Sequence, residues 1–350
     1  MVSQILITGA TGFIGRQLTR DLVSAGQPVR ILARNPEKAR SLFGETIEIV
    51  AGDLCDSQSV KRACAGISTI YHIGGIYRFG IRHRREIYQT NIDGTENLLA
   101  AAAAAQVEKI VYVSSASVLT RPGCSSHPWP VLSETDFPSH PPRFSPYKYS
   151  KWAAERHALA WSSRGLPVVI ASLSCPIGFG DEAPTPTGQM IDDFIRGRFP
   201  FYCRVGLNFV NVSDVSAGLQ LTAQAGRVGE RYLLTNQNLW LKEFLDYLAS
   251  QTGLPSPRLC LPHWPVLAAS CFGEMADLLG PRSQSARVCM ETALQLRSVQ
   301  FFSNAKARQE LGWSPSPVQS GIQQALAWFR QESVPELACD TLPVTKSHVR

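Results

Sequence analysis

Residues Ile5-Leu6-Ile7-Thr8-Gly9-Ala10-Thr11-Gly12-Phe13-Ile14-Gly15 run from an apolar, β-forming stretch into a glycine-spaced turn and on into helix formers. A diphosphate can approach the main chain only where side chains are out of the way. Gly9 permits the tight turn, Gly12 lets the backbone come close, and Gly15 lets the new helix pack against the strand. Thr11, Phe13 and Ile14 share that turn, so the first helical N–H groups face the anion at the positive end of the helix dipole. Three glycines alone carry little weight. Their place between a strand and a helix makes the stretch a phosphate cradle.

The second strand reads Pro28-Val29-Arg30-Ile31-Leu32-Ala33 and ends at Arg34. A carboxylate at this position accepts hydrogen bonds from an adenosine ribose 2′-OH and repels a 2′-phosphate. A guanidinium does the reverse, through paired charge-assisted hydrogen bonds. Lys38 and Arg40 follow nearby and add positive field. The stretch therefore predicts NADP(H) in preference to NAD(H), with NAD(H) the alternative.

Around this start the chain has 350 residues, 44% hydrophobic and 18% charged, enough for one large domain or two closely packed ones. A net charge of +6, scattered rather than clustered, suits small anionic ligands and gives little support for nucleic-acid binding. The nine cysteines form no CxxC pair, which points to reduced, mostly packed thiols and away from structural zinc. No metal site is expected. The first strand begins almost at once, without a signal sequence, and no apolar run spans a bilayer, so a cytoplasmic protein without an integral membrane segment is expected. Leu261–Leu279 is apolar but interrupted by His263, Glu274 and Asp277; it reads as a core or substrate-domain helix, with peripheral membrane contact as the alternative.

Strand and helix signals alternate through the first half. Ile47–Ala51, Ile67–His72, Lys109–Val113 and Pro167–Ala171 are short and apolar, as strands buried on both faces of a parallel sheet should be. Helical stretches separate them at Ser57–Ala65, Glu86–Ala105 and Pro146–Ser163. The pattern predicts an α/β fold, a doubly wound parallel sheet with ligands at the carboxyl ends of its strands. Residues 1–180 would form the nucleotide domain, with 208–236 returning to it. A smaller, mostly helical substrate domain would comprise 181–207 and 237–330, and 331–350 would be a mobile tail. In that second part a short helix is expected at Gln189–Arg196, strands at Phe209–Val212 and Glu230–Leu234, and a helix from Asp214 to Ala225, with Asp214 as its N-cap rather than an acid catalyst.

A second strong feature is Tyr147-Lys-Tyr-Ser-Lys151. Tyr147 and Lys151 share one helix face, and an ammonium beside a phenol favours the phenolate, bringing it towards a range where it exchanges protons. Tyr149 has Ala153, not lysine, four residues on. Upstream, Ser114-Ser115 stands at the carboxyl end of a strand, where a hydroxyl could bind the same substrate oxygen.

Together these motifs resemble the extended short-chain dehydrogenase/reductases, the NAD(P)-dependent epimerase/dehydratase superfamily. Gly52-Asp53-Leu54, Tyr71-His72, Asn91-x2-Gly94-Thr95-Glu-Asn97-Leu98-Leu99 and Val210-x3-Asp214-Val continue the match, in family order over roughly residues 2–330. The resemblance implies an NAD(P)-binding Rossmann fold. It places Asp53 and Leu54 at the adenine, Ile73 and Gly74 along the cofactor, Lys151 on the nicotinamide ribose, and Pro176 and Ile177 near the nicotinamide. It selects Ser115 over Ser114 as the catalytic serine, and gives Asn91 either a supporting role at the site or one in helix packing.

Three chemistries compete within the family. Sugar-nucleotide dehydratases carry an acid–base pair after the catalytic hydroxyl, where this chain has Ala116-Ser117. Sugar-nucleotide epimerases need only the Ser, Tyr and Lys, and Pro184-Thr-Pro-Thr-Gly188 with Gly206-Leu-Asn-Phe-Val-Asn211 resembles the hopanoid-associated sugar epimerase branch. Epimerases hold NAD tightly, however, which fits Arg34 poorly. Reductases of the dihydroflavonol 4-reductase or hydroxysteroid dehydrogenase type fit best, and Phe79, Phe144, Phe179, Met190 and Phe194 would suit a largely apolar small-molecule substrate if they line a lid rather than a core. A non-catalytic NADP(H) sensor would be expected to have lost Tyr147 or Lys151. Helices Asn91–Ala105 and Lys148–Ser163 could form a homodimer interface.

Overall fold

In the computed structural model, which describes residues 4–120, 129–142, 144–279, 290–295 and 299–331, strands and helices alternate from the start. β1 (Ile5–Thr8) leads to α1 (Phe13–Ser24), β2 (Val29–Ala33), α2 (Pro36–Phe43), β3 (Glu48–Ala51), α3 (Ser57–Cys64) and β4 (Thr69–His72). After α4 (Arg84–Tyr88) and α5 (Gly94–Ala104) come β5 (Lys109–Ser115), the short β6 (Val131–Leu132), α6 (Pro146–Ser162), β7 (Val168–Leu173) and β8 (Cys175–Ile177). The next elements are α7 (Pro186–Ile195), β9 (Phe201–Cys203), β10 (Gly206–Asn211), α8 (Val212–Ala225), β11 (Arg231–Leu234), β12 (Gln237–Trp240) and α9 (Leu241–Thr252). β13 (Leu259–Leu261), α10 (His263–Leu279), α11 (Met290–Gln295), β14 (Phe301–Phe302), α12 (Ala305–Leu311) and α13 (Gln319–Arg330) follow.

Seven strands form one parallel sheet in the order β11-β7-β5-β4-β1-β2-β3. Alternation along each strand divides the core in two, because successive side chains leave opposite faces. Ile7, Ile31, Val111, Val169 and Tyr232 meet α1, α2 and α8 through Leu18, Phe43 and Leu219. Leu6, Ile70, Ile110 and Ile170 meet α3, α5 and α6 through Val60, Leu98, Leu99 and Ala158. The sheet is thus doubly wound, as expected. β10 does not join it; it pairs with β8 and β12 in a small second sheet. That sheet shares a separate core with α7, α9 and α13, in which Phe209 stacks on Phe244 at 4.5 Å.

Several local expectations need correction. The helix expected over Glu86–Ala105 is interrupted by a π-helical turn at Gln89–Asp93, which carries buried Asn91. The extra residue in that turn lets the Asn91 side chain turn inward, and π-turns of this kind commonly serve sites. Helix α8 begins at Val212, so Asp214 lies inside its first turn and is not the N-cap. Its carboxylate accepts hydrogen bonds from Ser316 N (2.9 Å), Ser316 Oγ (2.8 Å) and Asn211 Nδ2 (3.0 Å), tying on the segment before α13. Helix α7 starts three residues earlier than Gln189, capped by Thr185 Oγ1 accepting from Gly188 N.

Cys55, Cys64, Cys175, Cys203 and Cys260 carry free thiols, while Cys124, Cys289 and Cys339 fall outside the described residues, as does the expected tail from residue 332 onward. Among the described residues no helix is long and apolar enough to cross a membrane.

Candidate active site

The cleft opens where β1 reaches its turn. Gly9 has a φ of 74°, and a Cβ there would come within 2.7 Å of Gly74 N. A Cβ on Gly15 would meet Gly9 O at 2.2 Å, so only glycine lets α1 begin this close to the turn. Gly12 is the N-cap of α1 and offers no side chain to the helix's first N–H groups. Those orphan donors, with Arg16 Nε buried and without a hydrogen-bond partner among the described residues, fit an anionic diphosphate.

A cleft of about 580 Å³ extends from this cradle and is lined by Gly9, Thr11, Gly12, Phe13, Ile14 and Gly15. Arg34 and Lys38 stand at one end, Asp53, Leu54, Ile73 and Gly74 along it, and Ser115, Tyr147, Lys151 and Pro176 at the other. Ile177 is the exception among the expected cofactor residues. It is 2% exposed and packs into the second core, because the strand alternation that points Pro176 at the cleft turns its neighbour away. The β4 end of the cleft is braced from below. His72 Nδ1 lies 2.7 Å from Thr8 Oγ1 and His72 Nε2 lies 2.9 Å from Thr95 Oγ1, while Gly74 N donates to Thr8 Oγ1 at 3.1 Å. Full burial, with the Lys151 ammonium adding to it, holds the His72 pKa down at about 3, so the ring is neutral.

The two serines at the end of β5 diverge. Ser114 Oγ donates to buried Glu155 at 2.5 Å, whereas Ser115 lines the cleft with Tyr147, its Oγ 2.8 Å from Ser117 Oγ. Tyr147 occupies the first turn of α6, which starts at Pro146 and is capped by Ser145 Oγ accepting from Lys148 N. One turn on, Lys151 is buried; its Nζ donates to Val113 O at 2.9 Å and stands over the Tyr112 ring at 5.4 Å. A third turn brings Glu155, completely buried and ion-paired with Arg231 of β11. Tyr149 instead packs against Tyr88 and Trp152, away from this row.

The electrostatics differ from expectation in one respect. Burial raises the Tyr147 phenol above its ordinary value, opposed by the Ser115 hydrogen bond, so the expected depression is not present. Burial lowers Lys151 to about 8, with Glu155 working against that shift, and the amine remains cationic at neutral pH. The Tyr147 phenol thus keeps its proton at neutral pH, one helical turn from the Lys151 ammonium.

Asn91 carries a sequence signal through its family motif, whereas Tyr77 and Glu291 do not. Asn91 accepts from Ile76 N (2.7 Å) and donates to Ile76 O (3.0 Å) and Ser150 Oγ (2.9 Å), pinning the post-β4 loop to α6. That loop lays Tyr77 over Tyr147 at 4.7 Å between ring centres, with Phe79 edge-on at 5.9 Å. Glu291, from α11, accepts from Gly80 N and from the Ser145 hydroxyl. Of the five expected lid residues only Phe79 touches Tyr147. Phe179 packs edge-on against Trp328, Phe144 is 78% exposed, and Met190 and Phe194 belong to the second core. Helices α5 and α6 lie side by side, joined through Glu96 to His157 and Trp161.

Comparison with known proteins follows this geometry. The family model described as NAD dependent epimerase/dehydratase family matches residues 5–234, well over half of the chain. A putative dihydroflavonol 4-reductase from Synechocystis sp. is 33% identical over 94% of this chain and 95% of its own. The structure of gox2253 superposes with a TM-score of 0.77 at 34% identity, covering 94% of this chain and 98% of that one. MoeE5 in complex with UDP-glucose and NAD gives a TM-score of 0.71 at 26% identity over 94% and 99% of the two chains. With its parallel sheet, glycine cradle and full-length relatives, the chain belongs to the NAD dependent epimerase/dehydratase family, as an NAD(P)-dependent oxidoreductase of the extended short-chain dehydrogenase/reductase type.

Proposed function

We propose that the protein is an NADP(H)-dependent reductase that interconverts a carbonyl and a hydroxyl on a small, largely apolar substrate. The observation that carries this reading is the buried Tyr147, which lines the end of the cleft together with Ser115 and Lys151. When bound, the reduced dinucleotide supplies the hydride. Tyr147 then gives its phenolic proton to the carbonyl oxygen, and Ser115 holds that oxygen as charge develops on it. Lys151, cationic and buried one helical turn away, stabilises the phenolate left behind. Asp53, Leu54, Ile73, Gly74 and Pro176 form the walls that hold the cofactor. Preference for the 2′-phosphate rests on Arg34 and Lys38, since no carboxylate stands at the end of β2. The aromatic surface of Tyr77 and Phe79 beside Tyr147 suits an apolar substrate.

An epimerase acting on a sugar nucleotide is the second reading, supported by the family description and the likeness to MoeE5. The two readings separate on purification. A reductase releases its cofactor freely and oxidises NADPH with a ketone, whereas an epimerase retains NAD without net consumption. With apolar ketones as substrates, Tyr147→Phe should lower NADPH-dependent turnover by about 10²-fold or more, the range of a lost general acid, and leave NADPH affinity nearly unchanged. Turnover equal to wild type would remove the mechanism.

A further inference from the structure

Glu182 lies in the segment between β8 and α7 and lines the mouth of the cleft that we assign to the cofactor. Two cations from the opposite wall grip one of its carboxylate oxygens. Arg16 Nη2 donates to Oε2 at 2.6 Å, and Lys38 Nζ stands 2.9 Å from the same atom. The grip joins three elements, because Arg16 follows Gly15 on α1, Lys38 is on α2, and Glu182 comes from the side of the second core. Its members are unequal: the Arg16 side chain is 8% exposed, those of Lys38 and Glu182 42% and 51%. The Lys38 hydrogen bond, with Arg16 beside it, holds the Glu182 carboxyl below its ordinary value, so it is ionised at neutral pH.

Arg16, Arg34 and Lys38 all face this end of the cleft, and Glu182 neutralises part of the field they make. A single exposed ion pair would contribute little. Here one carboxylate bridges a buried and a half-exposed cation, at the place where an incoming phosphate dianion needs them. We propose that Glu182 is a counter-anion built into the cleft, competing with the cofactor's 2′-phosphate for Lys38 and thereby setting how strongly the protein discriminates NADP(H) from NAD(H). The proposal rests on the reading of this cleft as an NADP(H) site. Arg34 and Lys38 attract the phosphate, and Glu182 limits how tightly it is held.

The test is calorimetric titration of the full-length protein with NADPH and with NADH, using wild type, Glu182→Gln, Lys38→Gln and the double variant. Glu182→Gln should tighten NADPH by about fivefold, the scale of removing one charge several ångströms from a dianion in a largely solvated site, and change NADH by less than about twofold. In the Lys38→Gln background the same substitution should lose most of its effect on NADPH. Unchanged NADPH affinity in Glu182→Gln, weaker binding of both cofactors, or a full gain persisting without Lys38 would each overturn the proposal while leaving the cleft assignment intact. Wild-type protein that binds neither cofactor would overturn the cleft assignment and the proposal together.

Discussion

His72 illustrates how much of the site depends on side chains that never reach the ligand. Its two nitrogens join Thr8 to Thr95, and Thr8 in turn receives the N–H of Gly74. The ring is buried and neutral, with a pKa near 3 against 6.5 in an exposed imidazole. The unfolded chain therefore takes up a proton at about pH 6.5 that the folded chain refuses until about pH 3. This contribution is complete above the higher value and is lost progressively as pH falls below it, by up to about 1.4 kcal/mol per pH unit. Urea unfolding at about pH 7 and about pH 5 should show that loss in the wild type and a shallower slope in His72→Gln; equal slopes would show the ring to be no contributor. At this scale Gly9, Gly15, Ser115, Tyr147 and Lys151 are legible from the sequence because each is a residue type required at a fixed spacing. Tyr77, Glu182 and Glu291 are not. They come from irregular segments or distant helices, and only the folded path of the chain brings them to the cleft.

Among the elements, α6 has the most demands on it. Tyr147, Lys151 and Glu155 form one row, and the row is anchored at its far end by the buried Glu155–Arg231 pair, with Ser114 as a second donor to Glu155. Removing one partner of a buried pair leaves an uncompensated charge, which is far more damaging than the absence of the pair itself. Arg231→Met should therefore destabilise the protein by about 3 kcal/mol in chemical denaturation. Arg231→Met combined with Glu155→Leu should recover much of that loss; failure to recover would mean that Arg231 acts through other contacts, such as its stacking on Phe137. The helix itself is readable from the stretch Pro146–Ser163 and the Tyr147–Lys151 spacing, but the ionic anchor is not, since Arg231 lies in a strand far along the chain. The π-turn before α5 escapes prediction for a related reason. Nothing in the helical periodicity of Glu86–Ala105 marks the residue at which Asn91 must turn inward to hold Ile76.

Over the whole molecule, the doubly wound order follows from alternation of short apolar strands with amphipathic helices, and that part is legible throughout. The second sheet is harder to foresee: β10 looks like any buried strand, and its partners β8 and β12 are set by tertiary packing. Because the cleft gathers residues from β1, β2, β5, β7 and the segments after β3, β4 and β7, a cofactor filling it should stabilise the molecule globally. At a concentration about 100-fold above its dissociation constant, NADPH should add about 2.7 kcal/mol to the unfolding free energy. Thermal denaturation with equal concentrations of the two cofactors should give the larger shift with NADPH, and a larger shift with NADH would contradict the preference assigned to Arg34 and Lys38.

The position of β11 has a consequence for synthesis on the ribosome. This strand closes the outer edge of β7, yet residues 231–234 are translated long after the glycine cradle, β5 and α6. Until they emerge, β7 presents a bare ladder of backbone donors and acceptors, and Glu155 waits in an apolar setting without its guanidinium. A nascent chain stalled before Arg231 would hold every glycine of the turn and the whole Tyr147–Lys151 helix, and would still be a target for chaperones.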